Sequence, residues 1–407
     1  MTVRVIQGDC RAVLATLPAD SVHCVVTSPP YWGLRDYGIG KDAHGLEPTI
    51  DLYVRNAVEI FRAVHHVLRP DGSLWLNLGD SYNNFRNGQC GQSVHNHEER
   101  NKPIDRKRGS AGLKEKDLCG VPWRIAFALQ ADGWWLRQDI IWNKPNPMPE
   151  SVTDRCTKAH EYLFLLTKSA RYFFDAEAIK EAADARNEHD ATGAGYEAPG
   201  QKPHSGNRVE LAKGFRGGSY VGGRPGPRKE TGNTYAPDGY KRNKRSVWIV
   251  ATAPFPEAHF ATFPPELIEP CIKAGTSERG CCAKCGAPWE REITVDYKKN
   301  RPSAGDDPRS RGKDRLASAR ESYGSQGWRG NNLLRDAKIL GWRATCKCAA
   351  AVVPCTVLDP FGGAGTTGLV ADRLQRNAIL IELNPAYAEM ARKRIFNDAP
   401  LFAEAAE

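Results

Sequence analysis

The chain has 407 residues, of which 41% are hydrophobic and 26% charged, with a formal net charge of +9. That length and balance suit a globular protein of two or three domain-sized units, and they exclude a fibrous or low-complexity chain. No apolar run is long enough to span a bilayer, and the N-terminus MTVRVIQGDC carries no secretory pattern, so a cytoplasmic protein with no membrane partner is expected.

Residues 3–6 read as a short strand ending at Gly8-Asp9, 11–17 as a helix, and 21–27 (SVHCVVT) as a buried strand running into Ser28-Pro29-Pro30-Tyr31. A helix follows over about 52–68, with apolar residues at Val54, Val58, Phe61, Val64 and Leu68. Pro70-Asp71-Gly72 reads as a turn and 73–78 as another strand. Residues 83–117 are rich in Asn, Gly, Gln, Arg and Lys and are expected to form a mobile surface loop. Then come a helix over 121–132 and strands over 134–144 and 161–167. Residues 182–245 are Gly- and Pro-rich and basic, 245–251 return to a strand, and 264–274 form a helix. Residues 281–348 are a cysteine-bounded insertion with a polar, basic middle. A strand (356–358), helix (365–374), strand (378–382) and helix (385–396) close the chain. Strands alternating with helices imply an α/β fold, a doubly wound, mostly parallel sheet covered on both faces.

Two turns follow buried strands. The first, Thr356-Val-Leu-Asp-Pro-Phe-Gly-Gly-Ala-Gly-Thr-Thr-Gly368, is a strand, a Gly-rich turn and a helix start. Its glycines permit close backbone approach, and the helix N-terminus offers free N–H groups. Asp359 stands at the carboxyl end of the strand and Glu382 at the end of the next, where an acidic side chain can grip a ribose diol. There is no Gly-Lys-Ser/Thr of a P-loop. A carboxylate there repels a pyrophosphate and suits a cationic sulfonium or ammonium. A tight turn without a ligand is the plain alternative.

The second turn is Val26-Thr-Ser-Pro-Pro-Tyr-Trp32. Its prolines stiffen the chain and remove two N–H donors. Its carbonyls and the Ser28 hydroxyl become fixed acceptors beside the flat face of Tyr31. That is what an extruded base bearing an NH₂ group needs. Attack of such a nitrogen on a sulfonium methyl is an in-line displacement, in which proximity and orientation carry most of the rate. A strand-ending loop is the bland alternative.

With Ser28, Pro29, Pro30 and Tyr31 early and the Gly-rich turn late, the chain resembles the β class of DNA amino-methyltransferases, a circularly permuted form of the methyltransferase fold. The resemblance implies S-adenosylmethionine as cofactor and double-stranded DNA as partner. It implies N4 of cytosine as target, because N6-adenine enzymes more often have Asp or Asn at the place of Ser28. By the same resemblance Asp359, Pro360, Phe361, Gly362, Gly365, Thr366, Thr367 and Glu382 surround the cofactor. Asp9 and Cys10 lie beside its adenine, and Thr262 and Phe263 close over its carboxylate. Gly363 stands where other small residues are frequent. A cognate restriction endonuclease, a prokaryotic or phage source and a homodimer are further expectations of this kind. N6-adenine methylation, an RNA methyltransferase and a zinc-containing DNA-binding regulator without catalysis are the competing readings.

Twelve cysteines in a chain with no export pattern read as metal ligands where clustered and as buried small residues where scattered. Cys282-Ala-Lys-Cys285-Gly286 has the zinc-knuckle form, and Cys346-Lys-Cys348 offers a second pair for a tetrahedral structural site. Cys281 competes with Cys282 as a ligand. Free thiols or a redox pair are the alternatives.

The net positive charge favours a polyanion. Arg208, Arg216, Arg224, Arg228, Lys241, Arg242, Lys244 and Arg245 are candidate phosphate contacts, although most charge runs are solvated surface. Trp32, Trp142 and Trp289 are candidates for stacking on bases, against a packing role. The expected division is a catalytic half (1–181), a basic target-recognition region (182–245), a cofactor-closing segment (246–280), a zinc-knuckle insertion (281–350), a cofactor-binding half (351–398) and a tail (399–407).

Overall fold

The computed structural model describes residues 2–33, 44–83, 112–182, 241–253, 262–299 and 333–398. In chain order the elements are β1 (Val3–Gln7), α1 (Cys10–Leu14), β2 (Val22–Thr27), α2 (Ile50–Val67), β3 (Leu68–Leu78), α3 (Val121–Ala131), β4 (Trp135–Asn143), β5 (His160–Thr167), a 3-10 turn (Ala176–Ile179), β6 (Glu181–Ala182), β7 (Lys241–Arg242), β8 (Val247–Ile249), α4 (Pro265–Gly275), β9 (Cys281–Cys282), β10 (Trp289–Lys299), β11 (Leu333–Ala344), β12 (Val352–Val353), β13 (Thr356–Asp359), α5 (Thr366–Arg373), β14 (Asn377–Glu382) and α6 (Pro385–Asp398). Among the described residues no helix is long and apolar enough to cross a membrane.

Eight strands form one sheet in the order β1-β14-β13-β2-β3-β5-β4-β8. Neighbours pair in parallel except where β5 runs antiparallel to both β3 and β4. Strands from the end of the chain thus lie between β1 and β2, with Val357 opposite Cys24 and Leu358 opposite Val25. The mixed α/β architecture with a large, mostly parallel sheet is the one expected.

Side chains alternate across a strand, and here they serve two cores. Val25, Leu74, Leu76, Leu78, Phe164, Leu166 and Leu358 pack under α1, α2 and α3. Cys24, Val26, Trp75, Leu163, Leu165 and Val357 pack under α4 and α5. α2 places Tyr53, Ala57, Ile60, Phe61 and Val64 on its buried face and is capped by Thr49, whose hydroxyl accepts from the Leu52 amide. With both faces covered, polar groups can gather only at the strand ends, which is where ligands bind in such sheets.

Pro70-Asp71-Gly72 is not a turn that precedes a new strand. β3 already starts at Leu68, and its register on β2 jumps from Val22–Leu68 to Cys24–Ser73, so the three residues bulge out of a continuous strand. The 83–117 segment is tied at its base. The Asn83 amide donates to the Asp117 carbonyl, and its side chain donates to the carbonyls of Leu113 and Lys114. Residues 84–111, and with them the expectation of mobility, lie outside the described residues.

A second compact unit comprises Glu181–Arg242 and Ile293–Ile339. Its described parts are the β6–β7 pair, braced by an Arg242–Glu181 ion pair, and most of the paired strands β10 and β11. The strands β10 and β11 are elements that the sequence reading of the insertion did not include. Arg208, Arg216, Arg224 and Arg228 lie outside the described residues.

Candidate active site

β2 ends in Thr27 and passes into the Ser28-Pro29-Pro30-Tyr31 turn at the carboxyl edge of the sheet. The Tyr31 hydroxyl is the hub of this turn. It donates to Glu161 Oε2 at 2.7 Å, lies 3.2 Å from Asn77 Oδ1 and accepts from the Ser28 hydroxyl at 3.3 Å. Burial, aided by the Glu161 charge, pushes the phenol well above its usual range, so it stays protonated. Glu161 also pairs with Lys144, whose ammonium sits 4.3 Å from the centre of the Trp142 ring. A Cβ on Gly79 would stand 2.5 Å from the Tyr31 ring, so only glycine lets the ring lie there.

The carbonyls of the turn are expected to be fixed acceptors. That of Pro30 takes the Tyr53 hydroxyl of α2 at 2.8 Å, which leaves it one further lone pair. Asn77, Glu161, Lys144 and Tyr53 were not singled out from sequence. They arrive from distant strands and a helix, and nothing local marks them.

The Gly-rich turn begins where β13 ends, one strand away. Asp359 is 1% exposed. Its Oδ1 accepts from the Thr27 hydroxyl at 2.6 Å and the Phe361 amide at 3.0 Å, and its Oδ2 accepts from the Thr367 hydroxyl at 2.7 Å. Burial pushes the carboxyl up to about 6 against these bonds. The two turns are therefore joined through one carboxylate.

From Asp359 to Thr367 only Phe361 and Gly363 keep partial exposure. Pro360, Gly362 and Gly365 are packed away, and Thr366 accepts from Arg394 at 2.9 Å. Glu382, at the end of β14, takes the Gly363 amide on Oε2 at 2.7 Å and the Asn384 amide on Oε1 at 2.8 Å.

The Gly8 amide donates to the Glu382 carbonyl, which brings the Gly8-Asp9-Cys10 segment to the same edge. Asp9 caps α1 through the Arg11 amide and pairs with the Arg11 guanidinium, which holds its carboxyl below the ordinary value. Cys10 is buried, and burial pushes its thiol up to about 12. Thr262 is half-buried, and Phe263 packs against the core beneath α4 and α5. Residues 259–261, which precede them, lie outside the described residues.

The tryptophans resolve toward packing. Trp32 is buried with its indole N–H on the Glu47 carbonyl, and Trp142 is buried with its own on the Val250 carbonyl. Trp289 is half-buried. Of the basic candidates, Lys244 lies 4.9 Å from the Trp248 ring, and Lys241 and Arg245 are exposed.

The sulfurs of Cys282, Cys285, Cys346 and Cys348 lie within 4.8 Å of one another. The amides of Cys285 and Lys284 draw the Cys282 thiol down to about 6. Cys281 faces away, into a separate buried group with His23 and Cys355. Of the unpatterned cysteines, Cys10, Cys24, Cys119, Cys271 and Cys355 are buried as expected, and Cys156 is exposed.

Residues 22–283 and 355–393 match the family model for N6 and N4 methyltransferases described as DNA methylase. The interval between them holds Cys285, Cys346 and Cys348. The type II methyltransferase M.XycI of Xanthomonas campestris pv. cyanopsidis is 37% identical over 390 residues, covering 96% of this chain and 86% of that protein. The type II methyltransferase M.Cfr9I of Citrobacter freundii is 36% identical over 389 residues, with the same coverage of 96% and 86%. A solved structure, PvuII DNA methyltransferase (cytosine-N4-specific), aligns with a TM-score of 0.48 at 15% identity over 100% of this chain and 88% of that one.

Proposed function

The chain belongs to the DNA methylase family of N6 and N4 amino-methyltransferases, and on that premise we propose that it methylates the exocyclic N4 of cytosine at a specific site in double-stranded DNA, with S-adenosylmethionine as donor. The observation that carries the proposal is the Thr27–Asp359 hydrogen bond of 2.6 Å, which keeps the Ser-Pro-Pro-Tyr turn and the Gly-rich turn side by side. In this reading the fold is a circular permutation, since strands of the last third of the chain complete a sheet begun by the first.

The residues fit the donor. Glu382 spends one bond per oxygen on the Gly363 and Asn384 amides, and a carboxylate has about four lone-pair sites, so acceptors remain for a ribose diol. Phe361 and Gly363 are the partly exposed surface of the loop beside it. When bound, S-adenosylmethionine supplies a methyl group on a positively charged sulfur.

The protein's own work is then positional. Asp359 sets Thr27, and through it Ser28. Ser28 Oγ accepts from the base's amino group, which localises that nitrogen's lone pair. Tyr31, held by Glu161 and Asn77, fixes the turn from below. Asp359 is a positioning residue here, because its oxygens are buried and already engaged. A restriction endonuclease of the same specificity is the partner this reading implies.

Mass spectrometry of nucleosides from DNA methylated by the purified protein tests the proposal. N4-methylcytosine is the expected product. N6-methyladenine alone would move the target to adenine, and labelled methyl on RNA alone would remove DNA as the substrate.

A further inference from the structure

We propose that Cys282, Cys285, Cys346 and Cys348 hold one zinc ion as four thiolates, and that this ion fixes the turn that carries Cys285 at the amino edge of the catalytic sheet.

The four sulfurs lie within 4.8 Å of one another although their sequence positions fall in two clusters far apart. A tetrahedral zinc with Zn–S bonds of about 2.3 Å sets its sulfurs about 3.8 Å apart, so closing the site needs only small side-chain adjustments. The first pair sits in a tight turn, closed by the Gly286 amide on the Cys282 carbonyl at 2.8 Å, with Gly286 at φ +69°. Four soft sulfur donors select zinc over calcium or magnesium.

The neighbouring group of His23, Cys281 and Cys355 is no second metal site. The Thr356 amide donates to His23 Nδ1 at 3.1 Å. Nε2 therefore carries the proton and faces the Gly286 carbonyl at 2.9 Å, so the imidazole has no free lone pair for a metal. Cys281 is directed to the Pro354 carbonyl and Cys355 to that of Ser277. This separates Cys281 from Cys282, which spacing alone left in competition.

The same contacts give the ion its place. The turn that carries Cys285 is read by the sheet through its carbonyls. Arg69 of β3, itself paired with Asp71, donates to the Cys285 carbonyl at 2.7 Å, and His23 of β2 holds the next one. His23 in turn holds the first residue of β13. The clamp therefore touches β2, β3 and β13 at their amino side. Thr27 lies four steps along β2 from His23, about 13 Å at about 3.3 Å per residue. That distance makes the ion structural, remote from any reacting group. It closes the stretch between Cys285 and Cys346 at its base, and β9 paired with β12 continues the closure.

The test uses the full-length chain, expressed without a metal-binding tag and purified under reductant. Elemental analysis should find one zinc per chain, and titration with a mercurial should release it as four thiols are modified. Replacing zinc by cobalt should give the intense visible absorption of a tetrahedral thiolate complex. Cys346→Ser with Cys348→Ser should lower zinc to background, while Cys281→Ser and Cys355→Ser keep it. Iron in place of zinc, no bound metal after reconstitution, or zinc retained in the double variant would each overturn the assignment. The mercurial and cobalt measurements need no variant, so they decide the matter even if the serine variants misfold.

Discussion

The Thr27 hydroxyl donates to Asp359 across 2.6 Å, from the last residue of β2 to the last residue of β13. The two lie 332 positions apart in the chain. Thr367, at the start of α5, donates to the other oxygen of the same carboxylate and also reaches the Val26 carbonyl at 3.3 Å. Asp359 thus ties two adjacent strands and a helix into one rigid corner. Any error in that corner is passed to Ser28, the next residue along.

Such a corner has a pH signature. Burial raises Asp359 from 3.8 to about 6, while in the unfolded chain it loses its proton near pH 4. Between those values the folded protein holds a proton that the unfolded one has released. This contribution is full below about pH 4 and is lost as pH rises through about 6. Asp359→Asn does not titrate. The wild type's stability relative to the variant should therefore fall by up to about 3 kcal/mol from pH 4 to pH 7, read from urea midpoints at each pH. A difference that stays level across the range would show that the carboxyl is not raised.

The sheet, its helices and both turns were legible in the sequence because their signals are local. Short continuous apolar runs mark strands such as β3 and β5, which are buried on both faces, and prolines or glycines mark the turns. What the sequence hid is set by pairing at a distance. Pro70-Asp71-Gly72 has the composition of a turn, yet Leu68 and Ser73 on either side of it both pair with β2, so the triplet became a bulge. Glu161 reads as one polar residue at the start of a strand. Only the topology brings it to Tyr31, 130 positions earlier. His23 reads as a polar interruption of a buried strand, and its use became visible only once both ring nitrogens had partners.

Tyr31→Phe tests the hub of the catalytic turn. The ring and its seat on Gly79 remain, but Ser28, Asn77 and Glu161 lose their common partner. Cofactor affinity should be unchanged, and kcat for DNA methylation should fall about 10- to 100-fold, the scale on which a misplacement of about 1 Å acts. Single-turnover methylation with labelled donor, alongside calorimetry of S-adenosylhomocysteine, separates the two quantities. Equal losses in both would mean that the tyrosine holds up the fold rather than the turn.

Glu382→Gln addresses the cofactor side. Removing the charge weakens a charge-assisted hydrogen bond to a diol, worth about 1.5–3 kcal/mol. The Kd of S-adenosylhomocysteine should rise about 10- to 100-fold. The same change leaves one of the Gly363 and Asn384 amides facing an NH₂ group, so some loss of thermal stability is expected in addition. If stability drops while Kd holds within twofold, Glu382 braces the loop and does not touch the ligand.

Gly365→Ala probes the packing under the Gly-rich turn. Gly365 caps the N-terminus of α5 at φ +76°, a left-handed conformation that costs an L-residue about 1–2 kcal/mol. An added Cβ would also meet Ala391 Cβ at 2.9 Å and Ala391 Cα at 3.1 Å on α6, and α6 backbone cannot yield as a long side chain could. Overpacking of this kind adds about 1–3 kcal/mol. The variant should therefore be destabilised by about 2–5 kcal/mol, seen as a lower urea midpoint with an unchanged slope. The pocket residues Phe361 and Glu382 are untouched by the substitution. Variant protein that is still folded at low temperature should consequently bind S-adenosylhomocysteine with reduced affinity only in proportion to the displacement of the loop. A Gly365→Ala chain as stable as the wild type would mean that α5 and α6 pack less closely than the 2.9 Å approach requires.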